Sequence, residues 1–482
     1  MKEQRTEQRH RQQHSQQRSQ QQLVPRHGFP APRVSSQQSG LKGLEFIPIG
    51  GYSEVGRNCC AVRVDDEVFI LDMGLAVDKY IALTEQEEYG QVKLSGKRLI
   101  EFGAAPDVEV LGPLKNNVKA ILITHAHLDH MAAVPYLANR FHAPIYATPF
   151  TKAILRTITD GEKMPLREQI IEKNPGDRFR LTKSVEGEFI YVTHSTPQAV
   201  IVALHTKYGT VLYANDFKFD EHPTKGPRTD SDRLKQLRGA KLLVLDSLYA
   251  HKNEKAPSEN YARSMLFNVL TKESTEGKIV IATTFSSHIY RLQTLAEVAE
   301  RIGRRPVFLG RSIGKYVQAA EELDIAHLPE KAEHVPFGSK VRSALKRIRD
   351  PERCLFITTG NQGEPKAVLH KMITGDWLPF RKDDLVVFSC ITIPVEPNIT
   401  YRAKLEEEIT KRGMNILRDV HVSGHGARED HRRLLKLVKP QHIVPTHGGM
   451  KQLFALKELA VKELKYRPDQ VHILKNNERL RL

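Results

Sequence analysis

The sequence predicts an α/β protein, and three observations favour this class. Short apolar runs alternate with amphipathic stretches from about residue 241 onward, for example at 242–245, 279–282 and 385–388. These runs end on small, hydroxyl-rich or glycine-containing turns, which is the pattern of βαβ units in a parallel sheet. At 482 residues the chain is also long enough for two or three domains with substantial cores.

Composition and charge indicate a soluble globular protein with an anionic partner. Hydrophobic residues make up 40% of the chain and charged residues 27%, and no apolar run is long enough to span a membrane. The four cysteines, at 59, 60, 354 and 390, lack zinc-finger or disulfide spacing, so we expect reduced thiols and a cytoplasmic location. The net charge of +16 favours nucleic acid as the partner, although a basic solvated surface would account for the same charge.

The first hundred residues contain a polar tail, three predicted strands and a polar segment. Residues 1–40 are dominated by Gln, Arg, His and Ser and predict a disordered tail, because they carry too little apolar surface to fold. Strands are predicted at 45–49, 59–64 and 68–71. The last strand ends on Asp72, whose carboxylate either supports a metal site or closes a turn. Residues 80–112 are polar and charged, and we interpret them as a surface insertion.

A histidine-rich motif lies between the predicted strand at 118–123 and a predicted helix from residue 131. It reads Thr124-His125-Ala126-His127-Leu128-Asp129-His130. A strand-to-helix turn can direct these side chains to one point, whereas a straight strand would send alternate side chains to opposite faces. Imidazole and carboxylate are ligand types of zinc and other divalent transition metals. The motif therefore predicts a metal site.

Further candidate ligands follow predicted strands later in the chain. His194 closes one strand, Asp216 follows a predicted hairpin at 200–206 and 210–214, and Asp246 follows the strand at 242–245. His425 and His447 lie in the glycine-containing turns at 421–426 and 445–449. Each residue alone is an ordinary structural residue, but their succession after the main motif favours a shared ligand set. The turn at 358–364 exposes backbone N–H groups that suit phosphate oxygens, and it is equally an ordinary βα loop.

Taken together, these motifs resemble those of a known enzyme superfamily. Asp72, the 125–130 motif, His194 and Asp216 are similar to the ordered motifs of the metallo-β-lactamase superfamily. Asp246, His425 and His447 resemble the three extra motifs of its β-CASP branch, the nucleic-acid nucleases. Within that branch, residues 44–482 resemble the ribonuclease J family, especially its archaeal form. The supporting runs are Gly50-Gly51, 54–58, Phe285-Ser286-Ser287, Gly363-Glu364-Pro365, 421–426 and 445–449.

The resemblance implies a specific architecture. A four-layer αββα metallo-β-lactamase domain would be built from residues 41–235 and 396–482, and a β-CASP domain with a parallel sheet, residues 236–395, would be inserted between them. The 80–112 segment fits the archaeal form better than the bacterial one. We expect no counterpart of the separate C-terminal domain of bacterial members, and we expect a homodimer.

The resemblance also implies a two-zinc centre in each subunit. One zinc would be held by His125, His127 and His194, the other by Asp129, His130 and His447, and Asp216 would bridge them. Mn²⁺ and Mg²⁺ are further candidate ions for activity. Asp72 would orient ligands, and His425, tuned by Asp246, would act as general acid or phosphate contact. The catalytic set is therefore Asp72, Asp129, Asp246 and His425, and the expected pocket for RNA and its 5′ phosphate is lined by Ser286, Ser287, Gly363, Glu364, Ser423, His425 and Gly426.

The implied activity is processive 5′-to-3′ degradation of single-stranded RNA from a 5′ monophosphate, with endonuclease activity and other RNA-decay proteins as further expectations. One alternative is an endoribonuclease of the cleavage-and-polyadenylation type, whose archaeal forms usually carry N-terminal RNA-binding domains that the polar tail does not resemble. A catalytically silent RNA-binding scaffold is disfavoured because every ligand position is filled. The long insertion argues against a small-molecule hydrolase. DNA stays open as a substrate, since no residue identifies a 2′-OH reader.

Overall fold

The computed structural model describes residues 42–88, 94–329, 332–335, 338–393 and 395–482. The predicted disordered tail at residues 1–40 lies outside these ranges. Among the helices within them, none combines the length and the apolar character that crossing a bilayer requires.

The described residues form nineteen strands of two to seven residues each. In chain order they are β1 (Leu44–Gly50), β2 (Cys59–Val64), β3 (Glu67–Leu71), β4 (Val118–Leu122), β5 (Ile145–Ala147), β6 (Ile170–Glu172), β7 (Arg178–Arg180), β8 (Glu186–Tyr191), β9 (Val200–Thr206), β10 (Gly209–Ala214), β11 (Leu242–Asp246), β12 (Val280–Thr283), β13 (Arg305–Leu309), β14 (Glu333–Val335), β15 (Cys354–Thr358), β16 (Leu385–Phe388), β17 (Asn415–Leu417), β18 (His442–Thr446) and β19 (Leu480–Arg481).

Fifteen α-helices connect the strands of the described chain. Some begin at side chains that satisfy free backbone N–H groups, such as Ser95, which accepts from Arg98 N, and Ser258, which accepts from Asn260 N. The helices are α1 (Val77–Glu88), α2 (Gly96–Glu101), α3 (Leu128–Met131), α4 (Val134–Leu137), α5 (Pro149–Gly161), α6 (Ser231–Gln236), α7 (Glu259–Val269), α8 (Lys272–Thr275), α9 (Ile289–Arg301), α10 (Arg311–Glu322), α11 (Gly338–Arg347), α12 (Val368–Thr374), α13 (Asn398–Lys411), α14 (Arg428–Val438) and α15 (Met450–Glu458).

Two sheets pack face to face and form the centre of the first domain. Their strand orders are β19-β1-β2-β3-β4-β5-β6 and β18-β11-β10-β9-β8-β7. Along each strand alternate residues point to opposite faces. Leu122 of β4 therefore packs with Tyr213 of β10 between the sheets, whereas Ile121 and Leu212 face outward. The outer faces are covered by helices, with α4 and α5 on the first sheet and α14 and α15 on the second. This is the predicted αββα arrangement.

The third sheet forms the inserted domain and is entirely parallel. Its strand order is β14-β13-β15-β12-β16-β17, and each neighbouring pair runs in the same direction. Helices cover both faces, as expected for parallel strands that are buried on both sides. The predicted parallel sheet is confirmed.

Strand pairing differs from the predicted domain boundaries at both ends of the insertion. β11 was expected in the inserted domain (236–395), but it pairs with β10 and β18 in the second sheet. β17 was expected in the last segment (396–482), but it pairs with β16 in the third sheet. The reason is that a parallel strand looks alike in either sheet, and only its pairing partner decides where it belongs.

The prediction of a surface insertion at residues 80–112, of which 89–93 lie outside the described residues, is wrong for several of its apolar side chains. Leu83 of α1 and Leu99 of α2 are fully buried, and Leu111 is buried in the 3₁₀ segment Val108–Asn117. All three belong to the core on the outer face of the first sheet. The segment is rich in charged residues, but these three leucines help to cover that face.

We predict that Leu99→Ala lowers the free energy of unfolding by about 2–5 kcal/mol, because it opens a cavity in this core. The matched substitution is Lys97→Ala in the same helix, at a side chain that is 84% exposed. It should change the free energy of unfolding by less than about 0.5 kcal/mol. Chemical denaturation of both variants measures the difference. Equal, small effects would mean that the segment is peripheral after all.

Candidate metal centre

Loops from both packed sheets bring the predicted site residues to one place. Asp216 and His447 follow β10 and β18, and Asp246 ends β11; these are three neighbouring parallel strands whose carboxyl ends share one edge of the second sheet. Asp72 and the 125–130 motif follow β3 and β4, which are parallel neighbours in the first sheet. Parallel strand ends of this kind are the usual location of sites in α/β proteins.

Four side chains, His125, His127, His194 and Asp216, form what we call the first cluster. His127 Nδ1 lies 3.1 Å from His125 Nε2 and 3.1 Å from His194 Nε2. Asp216 Oδ2 lies 3.4 Å from each of the latter two nitrogens. His194 Nδ1 donates to the Gly424 carbonyl at 2.7 Å, so its Nε2 carries a lone pair that points into the cluster.

The second cluster consists of Asp129, His130 and His447, and it shares Asp216 with the first. His130 Nε2 lies 3.6 Å from Asp129 Oδ2 and 3.3 Å from Asp216 Oδ2. His447 Nε2 lies 4.0 Å from the other oxygen of Asp216. Asp216 Oδ2 therefore lies between the two clusters, and Oδ1 faces His447 of the second cluster.

Asp72 holds the second cluster from behind. It is fully buried and accepts a 2.7 Å hydrogen bond from His130 Nδ1 and a 2.8 Å bond from Thr124 N. The Thr124 hydroxyl donates to the same carboxylate and also lies 2.9 Å from His125 Nδ1. Next to it, Gly74 must be glycine, since a Cβ there would lie 1.6 Å from the Asp129 carbonyl oxygen. Asp72 thus holds a ring of the second cluster by a hydrogen bond, and its role in orienting metal ligands stays a prediction.

Asn58 also contacts this cluster and was not among the predicted site residues. Its Nδ2 donates to Asp129 Oδ2 at 3.3 Å and lies 3.0 Å from His130 Nε2, and its Oδ1 accepts from His447 Nδ1 at 2.9 Å. The sequence signal was its position after the Gly50-Gly51 turn, but an amide in a turn has many ordinary roles.

His425 lies over the two clusters and is paired with Asp246. Its Nδ1 donates to Asp246 Oδ2 at 2.9 Å, and its Nε2 lies 3.6 Å from Asp216 Oδ2. The ring stacks on His447, with centroids 5.4 Å apart. Burial opposes a charge on this ring, but Asp216 and Asp246 raise the pKa of His425 to about 9. Asp246 and His425 thus form a supported imidazole beside the clusters.

The chemistry of the donor atoms fits metal ions. Asp216 Oδ1 is buried and accepts no hydrogen bond from any described residue. Burial lowers the pKa of His127 and His194 well below the ordinary value, which favours the neutral rings that ligate metals. Burial also opposes the charge on Asp216, yet the neighbouring histidines hold the pKa of its carboxyl well below its usual range. Buried lone pairs that face one another repel, and a cation bound between them would compensate that repulsion.

The expected phosphate-pocket residues are only partly connected to this centre. Ser423 Oγ accepts from His425 N at 3.0 Å, and Gly426 N donates to the Phe217 carbonyl. The other members follow β12 and β15 of the third sheet, and none of their hydrogen bonds among the described residues reaches the clusters; they are Ser286, Ser287, Gly363 and Glu364. Burial raises the pKa of Glu364. A pocket made by all seven residues stays a prediction.

Three family models match the chain. The metallo-beta-lactamase superfamily model matches residues 53–256, and the model described as "Ribonuclease J, beta-CASP domain" matches residues 276–401. The model described as "Zn-dependent metallo-hydrolase RNA specificity domain" matches residues 413–474. All candidate ligands fall within the first and third models, with His447, together with His425, in the third.

Individual proteins extend this similarity over most of the chain. Ribonuclease J of Methanocaldococcus jannaschii is 40% identical, with 90% of this chain and 98% of that protein covered. Ribonuclease J of Pyrococcus abyssi is 38% identical, with coverage of 87% and 93%. A solved structure of a protein of unknown function from Enterococcus faecalis covers 91% of this chain and 100% of that chain, with a TM-score of 0.61 and 16% identity. This last similarity concerns the fold alone.

We predict that Asp72→Asn weakens metal binding about 10–100-fold. An asparagine side chain has one acceptor oxygen and no negative charge, whereas the Asp72 carboxylate accepts from both His130 and Thr124. The control is Asp66→Asn, at an exposed aspartate in the turn between β2 and β3. Metal content after dialysis against a graded chelator series measures the effect. Equal retention of metal by both variants would contradict the supporting role of Asp72.

Proposed function

The chain belongs to the ribonuclease J family of the metallo-β-lactamase superfamily, and from this premise we propose that it hydrolyses single-stranded RNA from the 5′ end with two zinc ions. The observation that carries the proposal is the pair of clusters joined by Asp216. The two clusters contain a complete set of nitrogen and oxygen donors for metal ions. Beside them lies His425, an imidazole that can carry a proton and that is hydrogen-bonded to Asp246.

The spacing of the first cluster supports zinc as the ion. Four of the separations between its donor atoms are 3.1 to 3.4 Å. For bonds of about 2.05 Å, neighbouring ligands of a tetrahedral ion are about 3.3 Å apart. We propose that His125, His127 and His194 hold one zinc, that Asp129, His130 and His447 hold the second, and that Asp216 reaches both.

Two zinc ions, when bound, would lower the pKa of water and neutralise charge on the scissile phosphate. The protein's own side chains would perform the remaining tasks. Asp216 and Asp72 keep the ligand rings in place through charge and hydrogen bonds. His425, held at Nδ1 by Asp246, directs Nε2 toward the clusters and would donate a proton to the leaving oxygen or bind a phosphate oxygen there.

We further propose that the 5′ monophosphate is recognised by Ser423, His425 and Gly426, with Ser286, Ser287, Gly363 and Glu364 contacting the RNA from the inserted domain. The first three belong to one segment whose residues touch both Asp246 and Phe217. A 5′ phosphate bound beside the clusters would place the first phosphodiester at the metals and favour removal of single nucleotides. A triphosphate carries more charge and bulk than such a pocket accommodates.

RNA with a 5′ monophosphate should therefore be degraded at least about tenfold faster than the same RNA with a triphosphate, a difference of about 1.4 kcal/mol in the activation barrier. Products of RNA labelled at either end should be mononucleotides released from the 5′ end. His127→Ala, which removes a first-cluster ligand, is the inactive control. Internal fragments would instead favour the endoribonuclease, and equal rates on both RNAs would rule out the phosphate pocket.

His425→Gln should lower kcat about 10²–10⁴-fold through loss of the proton donor, while zinc content stays at two per chain. Asp246→Asn should lower kcat less, since the ring remains and loses only the partner at Nδ1. Single-turnover kinetics together with metal analysis separate these effects. If His425→Gln loses one zinc, then His425 is a ligand, and the proton-transfer role is wrong.

A further inference from the structure

Two buried side chains of the inserted domain, Tyr316 and Arg291, are connected to the first cluster, Tyr316 through one hydrogen bond and Arg291 through residues 420–424. We propose that they are positioning residues, and that the affinity of the first cluster for zinc depends on the docking of the inserted domain. This inference rests on the proposed two-zinc function. It assigns to the inserted domain a role at the metals in addition to any contact with RNA.

Tyr316 holds the peptide between two ligands of the first cluster. It lies on α10, is 7% exposed, and its hydroxyl donates to the Ala126 carbonyl at 3.0 Å. Ala126 lies between His125 and His127 in the sequence, so this bond fixes the backbone from which both rings project. The neighbouring Lys315 donates to the Thr157 carbonyl of α5 and secures the same helix on the first domain.

Arg291 holds the beginning of the segment that leads back from the inserted domain, residues 420–425, which we call the return segment. Its guanidinium is fully buried and donates to both carboxylate oxygens of Glu259, at 2.6 and 2.8 Å. It also donates to Ser389 Oγ at 2.7 Å, and Ser389 Oγ donates to the Val420 carbonyl at 2.8 Å. One buried charge thus connects α7, α9, the end of β16 and the return segment.

The other end of the return segment sets the ring of a ligand. The Gly424 carbonyl accepts from His194 Nδ1 at 2.7 Å, and this bond keeps Nε2 directed at the first cluster. The approach is close, because a Cβ on Gly424 would lie 2.8 Å from Ser195 Oγ and 2.9 Å from Ser195 N. Lys218, which is buried, donates to the Ser423 carbonyl at 3.1 Å and to the Pro257 carbonyl at 3.1 Å. A shift of the return segment would therefore turn His194.

The first cluster is in this way held by the inserted domain at two points that are far apart in sequence. Groups that orient metal ligands from behind typically change metal affinity or activity by about 10–100-fold when they are removed. A residue that only stabilises the fold would instead lower the unfolding temperature and leave the affinity of the folded chain unchanged. The two roles can be separated, because the chain contains matched buried residues away from the clusters.

Two control residues match Arg291 and Tyr316 in type and burial. Arg304 is 7% exposed and donates to the carbonyls of Cys354 and Thr275, near the amino ends of β15 and β12, whereas Ser389 follows the carboxyl end of β16. Tyr136 is 8% exposed, and its hydroxyl donates to Glu162 Oε2 at 2.9 Å. Neither contact involves the clusters or the return segment.

The experiment compares Tyr316→Phe with Tyr136→Phe and Arg291→Lys with Arg304→Lys in the full chain. Zn²⁺ dissociation constants are measured by competition with a chromophoric chelator, well below the unfolding temperature of each variant, together with kcat and KM on 5′-monophosphate RNA. We expect Tyr316→Phe and Arg291→Lys to weaken one of the two zinc equivalents about 10–100-fold and to lower kcat with KM unchanged. The two controls should bind both equivalents as the unmodified chain does, even where they unfold at lower temperature.

The inference would be overturned if the test variants bound zinc as tightly as the controls, whether both sets keep the affinity of the unmodified chain or both lose it to the same degree. Ser389→Ala, which removes only the hydroxyl between Arg291 and Val420, decides the question if Arg291→Lys does not fold. It should weaken the same zinc equivalent, and an unchanged affinity would contradict the proposal. If the unmodified chain binds no zinc at all, then the proposed function fails rather than the positioning role.

Discussion

The buried carboxylate of Asp216 is the constraint on which the rest of this structure depends. An isolated charge is unstable inside a protein unless other groups compensate it. Here one oxygen lies within 3.3 to 3.6 Å of ring nitrogens of His125, His130, His194 and His425, and the other faces His447. Those rings come from four separate loops. The fold must therefore bring distant parts of the chain to Asp216, and the two packed sheets accomplish this.

The sheets can do so because parallel strands deliver successive loops to one edge. β10, β11 and β18 are neighbours, although almost two hundred residues separate β11 from β18 in sequence. The inserted domain occupies most of that interval, and it leaves the first domain and returns to it beside the site. Its insertion therefore does not interrupt the second sheet. As a result, the return segment, which carries Gly424 and His425, contacts both domains.

Much of the fold and most of the candidate site follow from the sequence, and the exceptions have physical reasons. Strand-end residues such as Asp72, Asp216 and His447 could be predicted, because apolar runs show where strands end and because the succession of His and Asp residues at those ends favours one ligand set. The sheet to which β11 and β17 belong could not, since pairing partners are not written in a strand's own residues. Leu99 was missed for a similar reason, as one apolar residue among charges does not show which face it covers. Asn58 contacts the ligands only through a turn whose geometry depends on the whole site.

The same reasoning explains why Tyr316 and Arg291 were not visible in the sequence. A tyrosine or an arginine in an amphipathic helix is ordinary, and only the docked structure shows that the Tyr316 hydroxyl meets the peptide between two ligands. The Arg291–Glu259 pair is fully desolvated on the arginine side, so removing one partner would leave a buried charge without compensation. The same guanidinium donates to Ser389, whose hydroxyl donates to Val420, so this buried pair also fixes the start of the return segment.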